Sequence, residues 1–162
     1  MTTKAEFTDT EWETLVRAPM VAGMAITLAD PGGPIEVVKE TSAVLKFVTQ
    51  ESAGGDDLVG AVTSELHDLV RQRKNPVRDF KPRGADARQA ILDELKRAGT
   101  IAAEKATPAE AEAYREWLLD CARRAAEAAK EGGFMGFNAV RVSEGEQRML
   151  DQLAEALGVT TK

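Results

Sequence analysis

The chain has one cysteine, Cys121, one histidine, His67, and one tyrosine among its 162 residues. A lone cysteine cannot close an internal disulfide, which points to a reducing compartment. A lone histidine excludes the di-iron site of ferritin-like bundles, because that site needs Glu-x-x-His on two helices. Nucleophilic catalysis needs an activated side chain with a base in reach. Cys121 falls on the apolar side of a helical pattern and reads as a small buried hydrophobe. His67 projects away from its neighbour Leu66 and reads as a solvated surface residue. Neither G-x-x-x-x-G-K-[ST] nor G-x-G-x-x-G occurs, and Gly132-Gly133-x-x-Gly136 lacks the lysine and preceding strand of a phosphate loop. No catalytic residue is assigned, and the chain reads as a non-enzyme.

Other shortages narrow the class. Aromatics are 5% of residues while alanine is abundant, which favours close-packed helices over a β-sandwich. The longest apolar stretch, Leu15 to Leu28, falls short of the roughly 20 residues of a membrane span. Glu11, Glu13 and Arg17 crowd one end of it and Asp30 the other. The opening MTTKAEFTDTEW lacks the apolar run and cleavage site of a signal peptide, so a cytoplasmic location is expected. Net charge is −6, which gives no overall pull toward nucleic acid or anionic lipid.

What is present predicts a single all-α domain over 1–162, a compact bundle of about six helices. The Leu15–Leu28 stretch is apolar or small on every side apart from Arg17 and Thr27, and a helix of that kind must be enclosed by others. It is expected at the centre, as a helix over about 12–29 packed near one over about 108–131. Thr8 and Glu11 form a capping box, with Phe7 and Trp12 placed as a hydrophobic staple. Pro19 removes one backbone bond inside the helix, and Gly23 leaves a flat spot for another backbone. Pro34 starts a second helix reaching Val48, followed by a loop over Glu51–Gly55. Asp56 or Asp57 caps a third helix that ends near Lys74. Residues 75–84, NPVRDFKPRG, form an irregular connection, because Asn75 precedes Pro76 and leaves the α region. A fourth helix runs from Ala85 to Ala106. Thr107-Pro108-Ala109-Glu110 starts a fifth by N-cap, proline at N1 and glutamate at N3. A Gly/Phe loop over 132–142 follows. Ser143 with Glu146 opens the last helix, and Gly158 closes it.

Two surface features stand out. Arg71, Arg73, Lys74, Arg78, Lys81 and Arg83 make a local basic segment suited to an anionic partner. Only Phe80 interleaves as an aromatic and no reader motif accompanies it, so a nucleic-acid partner is not expected. In the loop GGFMGFNAVR, Phe134, Met135 and Phe137, with Arg141, either fold back onto the core or face a protein partner. Docking of a protein partner there is the leading expectation, and homo-oligomers stay open.

Val142-Ser143-Glu144-Gly145-Glu146, then Met149-Leu150, then Leu153-Ala154-Glu155-Ala156-Leu157-Gly158, resembles the closing helix of the tellurite-resistance TerB-like family. Ala18–Asp30 resembles that family's first core helix. The likeness covers about the first and last 45 residues. It implies a compact helical fold, a non-enzymatic scaffold role and a stress-related setting in the bacterial cytosol. If the family's acidic loops hold a divalent cation, the matching positions are Asp30, Glu131 and Glu146. This chain departs from the family by inserting FMGFNAVR after Glu131-Gly132-Gly133. No cofactor is otherwise expected; Ca²⁺ or Mg²⁺ at acidic turns, with Asp56-Asp57 as further oxygen donors, is the alternative function.

Overall fold

The computed structural model describes residues 2–29, 43–51, 57–77, 80, 82, 86–131 and 144–159, with backbone alone at 51 and 129–131. Six helices appear among them, with no strand: α1 (Asp9–Ala29), α2 (43–51, whose part Phe47–Glu51 is π-helical), α3 (Leu58–Arg71), α4 (Ala87–Lys105), α5 (Pro108–Glu131) and α6 (Glu144–Leu157). Helix α1 packs most extensively against α4 and α5, and also against α6 and α3. None of the described helices is long and apolar enough to cross a membrane.

Helix α1 begins as its sequence dictates. The Glu11 N–H donates to Thr8 Oγ1 at 3.2 Å, and the Thr8 N–H donates to Glu11 Oε2 at 2.8 Å. Phe7 and Trp12 are both buried, with ring centroids 5.7 Å apart, completing the staple. Lys105 at the end of α4 reaches the same Glu11 carboxylate at 2.6 Å. That contact, ahead of the Thr8 bonds, holds the Glu11 carboxyl below the usual range. Leu15, Ala18, Val21, Ala22, Ala25 and Ile26 are sealed from solvent, as an all-round apolar helix requires.

The helix passes through Pro19 without a break. Proline has no N–H, so the Leu15 carbonyl four residues earlier loses its helical donor. The Tyr114 hydroxyl on α5 supplies the missing bond, donating to Leu15 O at 2.8 Å in a buried site. Burial, reinforced by Cys121 and Glu94 nearby, pushes the phenol pKa well up and keeps it a donor. Farther along, Gly23 faces a side chain, where the sequence suggested a backbone. A Cβ there would stand 3.1 Å from Val44 Cγ2, so the bare position lets α2 settle against α1.

Several boundaries differ from the sequence reading. Helix α2 runs past Val48 to Glu51 by widening into a π turn. Pro34 and Ser143 lie outside the described residues. Asp57 is the cap of α3, accepting from the Gly60 N–H at 3.0 Å. Gly99 lies inside α4, with Arg115 Cδ 3.4 Å from where its Cβ would be. Helix α6 ends in a Schellman pattern: Gly158 has φ +70°, and the Val159 N–H donates to Ala154 O at 2.9 Å.

At the start of α5, the Glu110 N–H donates to Thr107 Oγ1 at 3.2 Å, as its cap requires. The Glu110 carboxylate, however, turns to the beginning of the chain. It accepts from the Thr2 N–H at 3.0 Å and the Thr2 hydroxyl at 2.6 Å, and from Thr107 Oγ1 at 2.9 Å. The Thr2 hydroxyl bond is the largest of the influences that lower its pKa from 4.5 to about 2. Glu110→Gln is therefore expected to lower the melting temperature at neutral pH. The ionised carboxylate stabilises the fold above pH 4.5 and loses that contribution as pH falls toward 2. The gap between variant and wild type should narrow over that window; a constant gap would contradict the assignment. Tyr114→Phe should cost about 1–3 kcal/mol in denaturant unfolding, because it strands a buried carbonyl. In a Pro19→Ala background, where residue 19 regains its N–H, the same change should cost less than about 1 kcal/mol.

Candidate functional site

The residues singled out from sequence fall into three groups. Phe134, Met135, Phe137 and Arg141 lie outside the described residues, as do Asp30, Asp56, Arg78, Lys81, Arg83 and the side chain of Glu131. Glu146, the remaining candidate metal ligand, is buried at the start of α6. Among the described residues no three His, Cys, Asp or Glu side chains stand close enough to hold a metal ion. Cys121 is fully buried and its thiol is pushed well above the ordinary pKa by desolvation, ahead of the charge of Asp120. His67 is exposed on α3. Arg71, Arg73 and Lys74 are exposed together at the end of α3.

Arg73 and Lys74 border a feature that sequence reasoning missed. A recess of about 660 Å³ opens between the last turns of α1, the helix α2 and the chain that leaves α3. Helix α1 contributes Met20, Gly23, Met24, Thr27 and Leu28, which recur at i, i+3, i+4, i+7 and i+8 and so form one stripe. Val44 and Leu45 come from α2, Ile91 from α4, and Val70 from α3. The stripe corrects the expectation that α1 is enclosed throughout. Met20 is 8% exposed and Ile26 is sealed, but Leu28 is 40% exposed. Val70, at 37%, is the other exposed large apolar side chain among the described residues, and it lines the same recess.

The outer wall is built by three successive turns. Helix α3 ends at Arg71, short of Lys74, because the Arg73 N–H donates back to Val70 O at 3.0 Å and the Lys74 N–H to Leu69 O at 2.9 Å. This is the same Schellman closure as at Gly158, but the left-handed residue is an arginine, with φ 57°. Asn75 then caps its own turn, its Oδ1 accepting from the Val77 N–H at 3.0 Å. The Phe80 N–H donates to Val77 O at 2.9 Å. The turns bring Pro76, Val77, Phe80 and Pro82 into the wall, with Arg73 and Lys74 beside them. The composition of 75–84 announced only irregular backbone; its alternation of apolar residues with cations was the available signal.

Lys74, Asn75 and Pro76 also line a second, smaller cleft of about 280 Å³ on Trp12 and Val16. There the charges balance: Lys4, Arg17 and Lys74 stand against Asp9, Glu13 and Glu65. Lys4 pairs with Glu65 at 3.4 Å, and Arg17 with Glu94 at 3.5 Å. The larger recess differs, since no acidic side chain is among its described lining residues and two cations are.

No protein-family model, curated protein or solved structure matches this chain. A left-handed arginine carries a conformational cost of about 1–2 kcal/mol that glycine avoids. Arg73→Gly should therefore raise the melting temperature by about 2–4 °C for each kcal/mol recovered, measured by calorimetry. An unchanged or lower value would show that the arginine side chain stabilises the turn by other contacts.

Proposed function

We propose that this chain is a non-catalytic binding protein whose recess between α1, α2 and the turns after α3 receives an apolar ligand. One observation carries the reading. Leu28 and Val70, the two exposed large apolar side chains among the described residues, both face this one concavity. Exposed apolar surface gathered in one place marks an interaction site far better than the same residues scattered singly. The volume, about 660 Å³, lies in the usual range of roughly 300–1,000 Å³ for small-molecule sites. A non-catalytic role is supported by the sealed positions of Cys121 and Tyr114. The resemblance to TerB-like proteins suggests a stress-related cytosolic scaffold. The loop over 132–142 that would dock a protein partner lies outside the described residues, so the recess is the surface this reading rests on.

A neutral solvatochromic dye such as Nile red tests it directly. The folded protein should bind about one equivalent with a blue-shifted emission. Leu28→Asp and Val70→Asp should each abolish that signal while leaving the melting temperature within a few degrees, since both side chains are exposed. Dye binding indifferent to both substitutions would overturn the assignment.

A further inference from the structure

We propose that the ligand of this recess is a single-chain amphipathic anion, of the alkyl carboxylate type, taken up as a monomer. The proposal rests on reading the recess as the functional site and adds the chemistry of what fills it.

The recess is two-sided in character. Met20, Met24, Leu28, Leu45 and Phe80 offer an apolar bed. Its two methionines have unbranched, polarisable side chains that adapt to a flexible chain. Arg73 and Lys74 stand together on the outer wall, exposed and with no ion pair to any described residue. Among the described lining residues none is acidic and these two are the cations, although the chain as a whole carries −6. A neutral apolar ligand would leave the two cations idle. A cationic one would be repelled. An alkyl anion satisfies both halves, its tail on the methionine stripe and its head at the guanidinium fork, which suits carboxylate geometry.

A protein partner fits less well. A specific interface buries about 800 Å² on each side, whereas the apolar surface open here is gathered inside one recess of about 660 Å³. The backbone adds a further point. Position 73 occupies the left-handed site that glycine fills at 158, and it carries the side chain that reaches the rim.

The test is a headgroup series on the full chain, with dodecanoate kept below its micellar concentration. Dodecanoate should bind about one per chain by calorimetry and displace Nile red. Dodecanol should bind about tenfold more weakly and dodecyltrimethylammonium more weakly still. Arg73→Gln combined with Lys74→Gln should weaken dodecanoate about tenfold and leave dodecanol unchanged, while Leu28→Asp removes both. Equal affinity for dodecanoate and dodecanol in the wild type would overturn the proposal, as would a doubly neutralised variant that keeps its preference for the anion. Cosedimentation with phosphatidylglycerol vesicles without uptake of monomeric dodecanoate would overturn it in favour of a membrane surface. If Nile red enters the recess but the headgroup series is flat, the binding reading stands and the anion falls. If Nile red does not enter, both fall.

Discussion

A proline in the most deeply buried helix obliges the rest of the molecule to provide a hydrogen bond from elsewhere. Pro19 leaves the Leu15 carbonyl without its helical donor, in a place that water does not reach. The Tyr114 hydroxyl, from a helix on the far side of the sequence, is the donor that answers it. That bond locks the register of α5 on α1: sliding α5 by one turn would strand both the phenol and the carbonyl. The neighbouring contacts fall into line with it. Lys105 meets Glu11 at the start of α1, Arg17 meets Glu94 across to α4, and Thr2 returns to the Glu110 carboxylate at the start of α5. Segments far apart in sequence are thus joined by polar groups at α1 or beside it, while the apolar faces supply the bulk of the burial.

The recess follows from the same helix. An α-helix apolar on every side needs neighbours along its whole length. Around Leu15 and Ala18 the cover is complete, because α4 and α5 lie on it together. Toward Leu28 it is not, and the gap is bordered by short turns in place of a helix. A proline-containing connection cannot present a continuous ridge to a groove, so the wall it makes is uneven and leaves space. The bare position at Gly23 lets Val44 come close and sets the floor of that space. The left-handed turn at Arg73 sets its charged rim.

Much of the architecture was legible from local chemistry. The Thr8–Glu11 box, the Phe7–Trp12 staple, the Thr107-Pro108 start and the Gly158 stop each depend on residues a few positions apart, and each is where the sequence placed it, while the α3 cap is the second of the two aspartates it offered. What escaped was non-local. Nothing near Tyr114 says that its hydroxyl belongs to Leu15, and nothing near Glu110 says that its carboxylate will hold Thr2 as well as its own cap. The site was half visible. Arg73 and Lys74 were legible as charge, but their apolar counterpart belonged to a helix whose composition argued for complete enclosure. Composition reports how much apolar surface a helix has; whether its last turn finds a neighbour depends on where the other segments run.

The bond between Tyr114 and Leu15 spans 99 residues of sequence. On a ribosome working at roughly 5–20 residues per second, the first helix emerges about 5–20 s before the residue that completes it. For most of that interval its apolar circumference has no cover from α4, α5 or α6, and its Leu15 carbonyl is met by water. The centre of the fold is therefore closed late in synthesis, by segments made long after the helix they enclose.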